Sequence, residues 1–98
     1  MNVNDYIKAP GATLDYSLDY RSWLLTGETI NSSTWAITSD QAPVAGDMTQ
    51  TQAVIAGGVT TVWLTAGALG TVYTAANTVI TSGGRTDTRS IGLTITQR

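Results

Sequence analysis

Arg85, Asp87 and Arg89 carry alternating charge at a spacing of two residues. In an extended chain that spacing puts all three on one face. Such a row can pair with a neighbouring strand or with another subunit. The plainer account is a solvated, charged edge, where isolated ion pairs contribute about 0–1 kcal/mol and charge deters unwanted strand addition. Asp15 and Asp19 also share a face, but strand rise sets them about 13 Å apart. That is too far for a retaining glycosidase pair and wide for an inverting one. Asp40 and Asp47 flank one loop, yet nothing in the sequence completes a calcium ligand set around them. Serine and threonine are abundant, but the chain has no histidine, no cysteine and only one lysine, Lys8. A nucleophile needs a base, and none is placed to serve. No catalytic, cofactor or metal residue is therefore assigned, and the chain is expected not to be an enzyme.

The three tryptophans offer a different chemistry, that of contact. Trp35 reads as core. Trp63 lies between Val62 and Leu64, so it faces outward if they face in. There it is either a contact residue or a lid on a neighbouring side chain. Trp23 stands with Leu24 and Leu25 in a connection. It is either a plug at the end of the fold or an anchor in a partner's pocket. The candidates for protein contact are Trp23, Leu24, Trp63, Arg85, Asp87 and Arg89.

The elements that must hold these residues are strands. Leu14 to Tyr20 alternates large apolar with small polar residues, which predicts a half-buried strand with Leu14, Tyr16, Leu18 and Tyr20 inward. Val3 to Lys8 reads as a short edge strand, stopped by Ala9-Pro10-Gly11. Thr29 to Ile37 forms a third strand, and Ile30 is out of phase with Ser33, Trp35 and Ile37, which predicts a bulge near Asn31-Ser32. After a loop over Ser39 to Gly46 comes a weaker strand, Met48 to Ile55. Gly57-Gly58 makes a tight hairpin into Thr60 to Leu64. Thr71 to Thr81 and Thr86 to Ile95 follow, separated by a turn at Gly83-Gly84. The set is about seven strands with no helical stripe. It predicts an all-β, immunoglobulin-like antiparallel sandwich forming one domain over residues 1–98, with a β-barrel as the main alternative. Trp35 on the third strand, Tyr73 at a tyrosine-corner position and Ala75 at the place of an antibody cysteine fit the sandwich.

Composition bounds the role. A 98-residue chain buries roughly 65% of its unfolded surface, and no disulfide assists it. Charged residues make up 12% of the chain, against about 25% in typical domains. A surface so poor in charge suits either a subunit packed in an assembly or a plain extracellular-type β-domain. A net charge of −2 without a Lys/Arg cluster argues against nucleic acid. No segment reaches the length of a membrane span. Met1 to Asp5 lacks a basic start followed by an apolar run, so synthesis without a leader, in the cytoplasm, is expected.

Several stretches together resemble a family of short, immunoglobulin-like virion proteins of tailed phages, of the neck or fibre–tail adaptor type. They are Lys8-Ala9-Pro10, Leu14 to Tyr20, Trp23-Leu24, Ile30 to Trp35, Val62-Trp63-Leu64, Tyr73 and Thr81 to Asp87. Two places depart from the usual pattern: no acidic pair surrounds Pro10, and Tyr20 stands where tryptophan is common. The loop from Ser39 to Gly46 differs as well. The resemblance implies a non-enzymatic virion protein, made in the host cytoplasm and oligomeric in the particle. Its partners would be portal or neck, tail, fibre or capsid subunits. A capsid decoration protein is the alternative address. A carbohydrate-binding module, with Trp63 and a tyrosine as a stacking platform, is the alternative of another class.

Overall fold

The computed structural model describes residues 2–97; Met1, on which the leader expectation partly rests, lies outside them. Seven strands follow one another: β1 (Asn2–Lys8), β2 (Thr13–Asp19), β3 (Ile30–Ser39), β4 (Thr49–Ala56), β5 (Val59–Thr65), β6 (Val72–Thr81) and β7 (Thr86–Ile95). They build a four-stranded sheet, β1-β7-β6-β3, and a three-stranded sheet, β2-β5-β4. The described residues contain no helix, and no strand pairing joins the sheets into a barrel. The architecture is an immunoglobulin-like β-sandwich. One detail departs from an all-antiparallel layout: β1 runs parallel to β7, with Tyr6 opposite Leu93 and Lys8 opposite Ile95. Alternation along a strand encodes which face is buried but not which neighbour it takes.

Inward side chains from both sheets make the core. Tyr16, Leu18 and Tyr20 enter from one side, with Val62 and Leu64. Tyr73, Ala75, Val79, Ile91, Leu93 and Ile95 meet them from the other. The expected bulge in β3 is present: the register with β6 shifts between Ile30 and Ser32. That extra residue returns Ile30 to the buried face. The β4–β5 hairpin closes through Gly57 and Gly58, whose φ angles of 58° and 84° are both positive. A two-residue type I′ turn requires this, and glycine supplies it without a Cβ penalty.

Two burial expectations need correction. Leu14 is 41% exposed. It lies on the inward side, opposite Leu64, but near the end of an edge strand, where little of the facing sheet covers it. Trp35 is half-buried against the core rather than enclosed, because β3 is itself an edge. Its indole nitrogen is buried without a hydrogen-bond partner.

Candidate functional site

At one end of the sandwich, the connection between β2 and β3 folds against the β6–β7 turn. Trp23 N–H and Leu24 N–H both donate to the Tyr20 carbonyl, a tight turn that lays Trp23 edge-on to the Tyr20 ring, centroids 5.9 Å apart. Arg85 extends across this turn. Its guanidinium lies 4.1 Å from the Trp23 ring centroid, donates to the Trp23 carbonyl at 3.0 Å and pairs with Glu28 through Nε at 3.0 Å and through Nη2. The Glu28 carboxylate, with only 5% of its side chain exposed, also accepts from Thr81 Oγ1 at 2.6 Å and from Leu25 N–H at 2.9 Å. These donors, Arg85 first, hold its pKa down to about 2. Arg89 stacks over Tyr20 at 4.5 Å and pairs with Asp87 at 3.1 Å. Burial pushes the Tyr20 phenol up to about 12, with Arg89 pulling the other way.

The charged row thus points between the sheets. Asp87 pairs with Val79 across the ladder and Arg89 with Asn77, both fully buried positions. Along the described part of β1, pairing with β7 begins at Ser90. Thr86 to Arg89 therefore form a half-strand without a neighbour on that side, carrying inward charges, a recognised guard against strand addition. Glu28 and Tyr20, which complete this cluster, were not singled out from the sequence. An isolated glutamate in a loop gives no periodic signal; only the fold brings it 57 residues along the chain to Arg85.

The tyrosine corner is formed at the opposite end. Tyr73 Oη donates to Asp47 Oδ1 at 2.7 Å and accepts from Ala68 N–H at 2.9 Å. Asp47 also accepts from Val44 N–H, and Asp40 accepts from Val72 N–H. Both aspartates staple their loop to the sandwich. Among the described residues no three acidic side chains converge as a metal site would need. Lys8 is fully buried here and donates to the carbonyls of Ala66 at 2.6 Å and Ala9 at 3.0 Å. Burial lowers its pKa. Ala66, with φ 64°, is the non-glycine residue with left-handed backbone among those described, and Lys8 secures its carbonyl.

Of the six contact candidates, five hold partners within the chain or pack on the core. Leu24 and Trp23 lie against the core cluster, and Arg85, Asp87 and Arg89 form the ion pairs above. Trp63 stands apart. It is 36% exposed on the outer face of the three-stranded sheet, between Asp15 of β2 and Gln52 of β4. Thr13–Thr65 and Ser17–Thr61 hydroxyl pairs, at 2.7 and 2.8 Å, brace β2 and β5 on either side of it. The aligned positions on β2 are Thr13, Asp15, Ser17 and Asp19, so no tyrosine on that strand joins Trp63 in a stacking platform.

A model of the family described as Podophage GP4 fiber-tail adaptor protein gp77 matches residues 8–94, nearly the whole chain. No curated protein matches it.

Proposed function

The chain belongs to the podophage GP4 fiber-tail adaptor family, and from that membership we propose that it is a non-enzymatic virion subunit joining fibres to the tail at or near the neck. It acts by protein–protein contact, in several copies per particle, after synthesis in the host cytoplasm. Its partners are other virion proteins. The observation that carries this reading is the family match itself, supported by a sandwich that pairs Arg85 with Glu28 and Arg89 with Asp87 within the chain.

Among the contact candidates, Trp63 is the one offered to a partner. A large ring on an outer sheet face, between Asp15 and Gln52 and with hydroxyl pairs above and below, is a form in which a single aromatic anchors an interface. Trp23, Leu24, Arg85, Asp87 and Arg89 shape one end of the sandwich. The test is Trp63→Ala. The variant folds with an unchanged circular-dichroism spectrum and thermal midpoint, and its incorporation into particles falls at least about tenfold, as loss of one hot-spot aromatic implies. Full incorporation of the folded variant would remove Trp63 from the interface.

A further inference from the structure

We infer that the β3/β4 side of the sandwich is a self-pairing surface, and that its occupant is a second copy of this chain. The inference goes beyond the adaptor reading and does not depend on it.

Both sheets end on this side, one at β3 and the other at β4. Neither strand carries a charged residue or a proline over 30–39 or 49–56, the usual devices that blunt an edge. The opposite edges differ: β1 carries Asp5 and Lys8, and β2 carries Asp15 and Asp19. Every residue of β4 is exposed, including those on its inward side, Ala53 and Ile55. The two edges face each other across the sandwich without pairing. An open cleft of about 690 Å³ at one end is lined by Ile30 and Ile55, among others. Ser33 meets Ala53 and Ile55 in a smaller hollow along it, and Ile37 meets Met48 at the far end.

Those contacts fix direction. The start of β3 lies by the end of β4, so the two strands run oppositely. A two-fold axis along the cleft keeps strand direction and exchanges front sheet for back. It therefore sets β3 of one copy beside β4 of the other, antiparallel, twice. Each four-stranded sheet continues into the partner's three-stranded sheet, giving two sheets of seven. The contact is isologous and closes, and the exposed Ala53 and Ile55 of the two copies meet across the axis. The bulges of both strands, at Ile30/Ser32 and Gln50/Gln52, leave 32–39 and 52–56 regular for pairing.

The antiparallel ladder also says which amides are free. Ala56 and Val59 close the two-residue hairpin, so they exchange hydrogen bonds. Alternation then turns the N–H groups of Ala53 and Ile55 away from β5, toward the open edge. Ala53→Pro removes one of these donors without touching the β4–β5 ladder. Sedimentation velocity on the purified chain, up to about 100 µM, should show a dimer. Ala53→Pro should be monomeric, and Ala53→Ser should remain dimeric. If Ala53→Pro does not fold, Ala53→Lys, at an exposed position, replaces it with the same expectation. Exchange of the Ala53 and Ile55 amides should slow as concentration rises. A monomer throughout that range, or a dimer that persists in the folded Pro or Lys variant, overturns the inference. Either result leaves the adaptor reading to be judged by particle incorporation.

Discussion

Asn77 is a polar side chain fully buried between two apolar layers, and four hydrogen bonds keep it there. Its amide donates to Ser33 Oγ at 2.7 Å and to the Thr34 carbonyl at 3.0 Å, while Oδ1 accepts from Thr60 Oγ1 at 2.7 Å and Tyr20 Oη at 3.1 Å. It thereby ties β3 and β6 to β5 and to the end of β2. Asn77→Ala would strand the Thr60 hydroxyl in the core and leave Tyr20 Oη only its long, 3.5 Å bond to the residue 77 carbonyl. Unsatisfied buried groups cost about 1–3 kcal/mol each, so the variant should lose about 2–4 kcal/mol, read as a lower urea midpoint with an unchanged slope. Glu28 acts through its charge. Its carboxyl falls from an ordinary 4.5 to about 2 in the folded chain. Stability from this group is complete above pH 4.5 and is lost as pH falls toward 2. Asp19, held near 2 chiefly by Arg21, adds to this between pH 3.8 and 2. Glu28→Gln should lower stability at neutral pH and flatten its dependence between pH 4.5 and 2, measured by denaturant titrations at several pH values. Neither residue was legible in the sequence: one asparagine inside an apolar strand and one glutamate in a loop have no pattern around them.

At the scale of elements, strands and turns were legible where period and glycine speak together. The β2 alternation, the Gly57-Gly58 hairpin, the phase slip at Ile30 and the inward set Ile91, Leu93 and Ile95 all follow from side-chain period. Three things do not. Leu14 obeys the period but sits beyond cover, which depends on how far the other sheet extends. The β4 strand keeps its pairing yet leaves both faces exposed, because it is the edge of the smaller sheet and no strand lies beyond it. The parallel placement of β1 beside β7 is a choice of neighbour. The bend after β5 shows what glycine supplies beyond a turn. Gly67 has φ 126°, and an added Cβ would stand 2.8 Å from Ile95 Cδ1. Ile95 is fully buried and has no room to retreat. Gly67→Ala should cost about 1–3 kcal/mol from backbone strain and crowding, seen as a drop of several degrees in thermal midpoint.

Part of the molecule's charge is committed inward. Arg85 and Arg89 serve Glu28, Asp87 and two aromatic rings, and Lys8 serves two carbonyls. The outer surface carries Asp5, Asp15, Asp40 and the Asp19–Arg21 pair among threonine, serine and apolar side chains such as Trp63, Ile55 and Leu69. Such an exterior suits a part that is covered on assembly, in keeping with a family of fibre–tail adaptors. The motifs from Lys8 to Asp87 lie within the matched stretch 8–94, and the structure gives physical work to several of them. Lys8 secures the Ala66 turn, Tyr73 builds the corner, and the segment before Asp87 carries Arg85 to Glu28. What no residue of the chain encodes is its address in the particle. Cryo-electron microscopy of virions carrying a C-terminally tagged copy tests the account most directly. Tag density in a symmetric ring where fibres meet the tail is the expected result. Density spread over the capsid shell, or particles that lack the chain, would contradict it.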